Sequence, residues 1–208
     1  MRNNYWTYVP GSKFDDEDGA GCKFEIELEN VVNSRGGKWD TRTILDCKCT
    51  LSIKIDGSSM TNTMTMENLG EAAFDFQVLL HTYYNVRLSS TLDPTKCFVK
   101  GLAGYACYDK FTDASYTMGH DPITINCPTD RVYTPLGGKM GLDVFFMAGP
   151  DNYISLKANG NVNGKGVPIS GVVWNPHREN TEKMGDFGND QYVDMICVEP
   201  VSSPRHVF

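Results

Sequence analysis

No stretch of this chain is apolar for long enough to cross a bilayer. Apolar runs such as Val78-Leu79-Leu80 and Val144-Phe145-Phe146-Met147-Ala148 fall far short of the roughly 20 residues a spanning helix needs. Met1 is followed by Arg2-Asn3-Asn4-Tyr5-Trp6 and no apolar run, so no secretory signal and no membrane role are expected. Positive charge is also in short supply. Lys and Arg number 19 against 26 acidic residues, a formal net charge of −7. That deficit argues against nucleic acid or an anionic membrane surface as partner. A small anion is still allowed, because one or two local arginines can capture a phosphate on an acidic protein. No Asn-x-Ser/Thr site is present, and the seven cysteines are odd in number and sparse, unlike a disulfide scaffold. A reducing, cytoplasmic setting is the expectation.

Metal and nucleophile signatures are missing too. His81, His120, His177 and His206 lie far apart, and none stands at ligand spacing from a cysteine. Cys47-Lys48-Cys49 is neither a zinc knuckle nor a C-x-x-C redox pair, and no G-x-S-x-G elbow occurs. Neither metal nor cofactor is expected. The glycine-rich run Asn159–Gly166 lacks P-loop spacing and reads as a hairpin loop.

Helical periodicity is scarce, and alternation takes its place. Lys23–Glu29 alternates with Phe24, Ile26 and Leu28 on one face, and Leu51–Ile55 alternates before an Asp56-Gly57 turn. Met60–Asn68 forms a threonine- and methionine-rich strand. The longest expected strand is Phe74–Val86, and later ones are Ile123–Asn126, Arg131–Thr134, Leu142–Met147, Tyr153–Lys157, Val172–Trp174 and Val193–Glu199. Short strands divided by Gly, Asn and Pro turns describe an all-β antiparallel sandwich or barrel, here one domain over residues 1–208.

Two strands hold the candidate chemistry. In Phe74–Val86, positions 74, 76, 78 and 80 form an apolar face, which leaves Gln77, Leu79, His81 and Tyr83 on the other. Amide, imidazole and phenol on one surface suit a sugar-binding floor; a hydrogen-bonded structural histidine accounts for the same pattern. In Met195-Ile196-Cys197-Val198-Glu199, the carboxylate shares a face with Met195 and Cys197. Partial desolvation there would raise its pKa and make it a better base near neutrality. Its alternative is a strand end emerging into water. Asp130 and Arg131 are adjacent, so on a regular strand they face opposite sides, and a local turn at Asp130 is the simpler reading.

Several blocks together resemble the hexose-6-phosphate mutarotases of the aldose 1-epimerase superfamily. They are Met66-Glu67-Asn68-Leu69-Gly70 through His81-Thr82-Tyr83, then Val99-Lys100-Gly101-Leu102 through Tyr108-Asp109-Lys110, then Thr129-Asp130-Arg131-Val132-Tyr133. After these come Val173-Trp174-Asn175-Pro176, Lys183-Met184-Gly185-Asp186-Phe187 and Tyr192-x-x-Met195-x-Cys197-Val198-Glu199. The resemblance implies a large antiparallel β-sandwich that interconverts the α and β anomers of a hexose 6-phosphate without cofactor or metal. It makes Glu199 the base and His81 the acid, on opposite sides of the sugar ring. Asp130, Arg2, Gln77, Tyr83 and Asn175 become substrate contacts.

It also implies two departures. Family members carry a His-Gly-Phe-Ala-Arg motif that is cut here just before its arginine, Arg2, and the chain stops soon after the glutamate block, so it looks truncated at both ends. His177 stands where the family usually has tryptophan, which bears on the aromatic wall of the pocket. The rival expectations are a non-catalytic sugar-phosphate-binding sandwich and an inactive fragment.

Overall fold

The computed structural model describes residues 5–28, 46–71, 76–185 and 187–202. The chain divides into two compact units, Met1–Asp75 with Val207–Phe208, and Phe76–His206. In the first unit the strands are β1 (Thr7–Tyr8), β2 (Phe14–Asp16), β3 (Gly19–Glu27), β4 (Cys47–Ile55) and β5 (Met60–Asn68). They form one antiparallel sheet in the order β1-β3-β4-β5, with β2 also paired to β3. One face collects Ile26 and Cys49 with Trp6, Leu28, Met64 and Met66. The alternation in Lys23–Glu29 therefore does bury its Ile26 and Leu28 side, although the strand starts earlier, at Gly19.

The second unit contains β6 (Tyr83–Asn85), β7 (Cys97–Lys100), β8 (Ala106–Asp109), β9 (Ala114–Thr117), β10 (Thr129–Thr134) and β11 (Leu142–Ala148). It continues with β12 (Tyr153–Ala158), β13 (Gly160–Val162), β14 (Lys165–Val167), β15 (Ile169–Asn175), a short helix α1 (His177–Thr181), and β16 (Met195–Ser202). Six of the strands make an antiparallel sheet in the order β6-β16-β15-β10-β8-β9, and β12-β11-β7 make another. Val144 and Phe146 of β11, Val173 of β15 and Ile196 and Val198 of β16 share one core, so the two sheets pack face to face. At Gly171 an added Cβ would stand 3.2 Å from Leu142, so a bare backbone there lets Leu142 nest against β15. Of the sandwich and the barrel that alternation left open, the all-β sandwich implied by the resemblance is the architecture found.

β13 and β14 form the hairpin expected of the glycine-rich run, turning at Asn163 and Gly164, both at positive φ. Ile123–Asn126 is not a strand, since only Ile123 bridges to Val99. The larger correction concerns Phe74–Val86. Residues 72–75 lie outside the described residues, and from Phe76 the chain follows β16 by single bonds before β6 begins at Tyr83. Val78 N–H donates to Ser202 Oγ, Ser202 N–H to Val78 O, and Leu80 N–H to Pro200 O. Pro200 has no N–H to return, so the ladder loses a rung and the strand is interrupted. The expected alternation persists all the same, with Phe76, Val78 and Leu80 partly buried and Gln77, Leu79, His81 and Tyr83 exposed.

Candidate active site

The site is built by strand register. Asp130 stands beside Trp174, Trp174 beside Cys197, and Cys197 beside Tyr83, so one row of side chains crosses β10, β15, β16 and β6. Two residues along, Val132, Val172 and Glu199 form a second row on the same face. Leu79 bridges Val201 and Tyr83 pairs with Cys197, which sets His81 opposite Glu199. With Val78 and Leu80 making the ladder bonds, His81 and Glu199 occupy a non-hydrogen-bonded pair, where Cα atoms approach to about 4.5 Å. His81 Nδ1 meets Glu199 Oε1 in direct contact. The resemblance places acid and base on opposite sides of a sugar ring; here the two are in direct contact.

Glu199 is 3% exposed, its strand running on past it to Ser202, so it is not a strand end emerging into water. Burial pushes its carboxyl up. A hydrogen bond from the Cys197 thiol opposes that, the Asp130 charge adds to it and the Lys110 charge opposes it, leaving the group at about 7. Burial and the same carboxylate also push the Cys197 thiol up, so it stays protonated near neutrality. A carboxyl near 7 is well placed to take and return a proton at physiological pH.

Aromatic rings frame this pair. The His81 ring stacks on Tyr83 at 4.8 Å between centroids, and Trp174 meets both edge-on at 5.7 and 5.8 Å. Phe187 lies 6.3 Å from Tyr83. Trp174 joins the wall by register, between Asp130 and Cys197, and Phe187, which lies on no strand, joins it by contact with Tyr83. His177 does not join it, because its ring packs 5.4 Å from Tyr192.

The remaining expected residues divide. Asp130 faces the site and is held by Lys110, whose Nζ lies 2.8 Å from Asp130 Oδ1 and whose N–H donates to Asp130 O. Arg131 faces the other way, as expected, and pairs with Asp109 at 2.7 Å. The local turn expected at Asp130 sits instead at Asp109, whose Oδ1 accepts from the Phe111 and Thr112 N–H groups. Asn175 corrects the expectation of a substrate contact. It is fully buried, its amide nitrogen donates to the carbonyls of Tyr192 and Met195, and its oxygen accepts from His177 N–H. Both ends of its amide are engaged, the nitrogen with Tyr192 and the first residue of β16 and the oxygen with the start of α1. Gln77 is exposed beyond the bridge at Leu79, and Arg2 lies outside the described residues.

The aldose 1-epimerase family model matches residues 38–206. The chain belongs to the aldose 1-epimerase family. It is 28% identical over 150 residues to a Cenchrus ciliaris protein named "Putative glucose-6-phosphate 1-epimerase", covering 72% of this chain and 41% of that protein. An Escherichia coli protein of the same name is 27% identical over 204 residues, covering 95% of this chain and 58% of its own length. The chain thus spans about half the length of these relatives. Among solved structures it resembles "a putative mutarotase (YeaD)" from Salmonella typhimurium, with a TM-score of 0.69 at 23% identity over 97% of this chain and 59% of that one. A galactose mutarotase-like protein of Clostridium acetobutylicum follows at TM-score 0.53 and 14% identity, over 99% and 60%. The fold is the mutarotase-like β-sandwich. No helix among the described residues is long and apolar enough to cross a membrane.

Proposed function

We propose that this aldose 1-epimerase family chain acts as a single domain that interconverts the α and β anomers of a hexose 6-phosphate. The observation that supports this most is the buried Glu199, near 7, set against His81 on an aromatic-lined sheet face. Binding of the sugar parts the pair. Glu199 then accepts the proton of the anomeric hydroxyl, and the His81 imidazolium donates one to the ring oxygen. Both oxygens are bonded to C1, so neighbouring groups reach the two of them. The C1–O5 bond breaks as the C1–O1 bond becomes a carbonyl. Rotation about C1–C2 turns the other face of the aldehyde to the C5 hydroxyl. Closure returns each proton to its donor, so no net proton, electron or cofactor is consumed.

Asp130 accepts hydrogen bonds from sugar hydroxyls, with Lys110 holding its carboxylate in place. Tyr83 and Trp174 offer ring faces and edges to the apolar side of the pyranose. The 6-phosphate part of the reading rests on the motif resemblance and on the names of relatives 27–28% identical. The seven cysteines are free thiols, in keeping with a cytoplasmic setting. Anomer exchange measured on glucose 6-phosphate beside glucose tests both parts: exchange of glucose alone removes the phosphate, and exchange of neither removes the activity.

A further inference from the structure

Sequence spacing gives no metal constellation, yet the fold assembles one. A ligand atom from each of His81, Cys197 and Glu199 lies within 4.8 Å of the other two. We propose that these residues form a three-point site for a borderline-soft divalent cation such as zinc, and that its occupancy blocks the sugar site. Nitrogen, sulfur and oxygen donors on tetrahedral zinc stand roughly 3.3–3.8 Å apart, as bond lengths near 2.0–2.3 Å require. His81 Nδ1 and Glu199 Oε1 already touch, closer than two donors on one ion can stand, so a shift of about 1 Å must part them to open the site to that size. His81 can supply it, because it sits where the ladder is interrupted and keeps a third of its side chain exposed.

The donor set decides the ion. One thiolate and one imidazole favour zinc, cobalt or cadmium, whereas magnesium and calcium prefer oxygen donors. Three protein ligands leave a fourth position on the exposed His81 side for water or a sugar oxygen. The Cys197 thiol gives up its proton on binding, as metal thiolates do. The metal is therefore no helper in the reaction. It takes the lone pairs that Glu199 and His81 need and fixes both in place. The inhibitory consequence rests on the proposed function, but the binding does not.

The test is a cobalt(II) titration of the full chain, watching the near-ultraviolet thiolate-to-cobalt band and the visible bands of a four-coordinate ion, followed by zinc displacement. The site predicts one equivalent with a thiolate band, no competition from millimolar magnesium, and a band lost in Cys197→Ser. His81→Ala and Glu199→Gln each weaken binding at least tenfold. His81 is partly exposed, so His81→Ala tests the site even if Cys197→Ser fails to fold. Cobalt bound without a thiolate band overturns the proposal. So does a band that survives in folded Cys197→Ser, which would point to the mutually adjacent thiols Cys47 and Cys49 of the first unit. If zinc binds as predicted but the metal-free chain exchanges no anomers, the site stands and the proposed function fails.

Discussion

Leu80 donates its N–H to Pro200 O at 3.2 Å, and Pro200 has none to give back. This one-sided rung lies immediately beside the His81–Glu199 pair. Pro200→Ala restores the missing donor at the cost of one fixed φ. The expected outcome is slower amide exchange over residues 79–82 and a tighter hold on His81, read by hydrogen–deuterium exchange. Unchanged protection would show that something other than the proline interrupts the strand.

The rate of anomer exchange should depend on pH through Glu199. Its carboxyl titrates at about 7, and the base must be ionised to accept a proton. With a chelator present, exchange should therefore be lost as pH falls through about 7, which sets the acid limb of the profile. Lys110 lowers this group and Asp130 raises it. Lys110→Met should move the acid limb to higher pH, and Asp130→Asn to lower pH while also raising KM. Limbs that coincide across these variants would contradict the assignment of Glu199 as the titrating base.

On the opposite face of β10, Asp109 and Arg131 form a pair with side chains 6% and 19% exposed. Burial works to raise the Asp109 carboxyl, but the Arg131 guanidinium and the Phe111 and Thr112 N–H groups outweigh it and hold the group below its usual value. The pair's stabilisation is then complete above the ordinary aspartate value of about 3.9 and is lost as pH falls through the lower folded value. Asp109→Ala leaves a largely buried guanidinium unpaired, which costs about 3–5 kcal/mol, or roughly 6–20 °C in Tm. Thermal melts at pH 7 and pH 3 check both statements, since the gap between wild type and variant should narrow in acid.

Trp174 touches both His81 and Tyr83 edge-on. Each such contact contributes about 0.5–1.5 kcal/mol. Trp174→Leu should loosen the wall and raise KM about tenfold or more, whereas Trp174→Phe keeps most of it. Steady-state assays on the two variants separate ring contact from bulk.

Strands with one buried face were legible because period-two patterning survives in the residues, as in the run that buries Ile26 and in Leu142–Met147. β15 was harder to bound. It is buried on both faces, and Gly171 and Ser170 carry no hydrophobic signal. The site was legible as residue types but not as a place. Only register reveals that Asp130, Trp174, Cys197 and Tyr83 share a row, and no local pattern encodes a pairing between strands so far apart in sequence. Asn175 was misread for a related reason. A polar residue inside a motif looks like a ligand contact until its amide is seen bracing Tyr192 and Met195. The His81, Cys197 and Glu199 cluster escaped the ligand-spacing search because its members come from two segments that meet only in the folded sheet.

The most direct test of the central claim is NMR saturation transfer between the anomers of glucose 6-phosphate, with wild type, His81→Asn and Glu199→Gln compared at pH 7.5 in EDTA. The account predicts exchange above the spontaneous rate for wild type and a fall of about 10²–10⁴ in each variant, with both still folded. Exchange that survives in Glu199→Gln, or a folded wild-type chain that leaves the spontaneous rate unchanged, would contradict it.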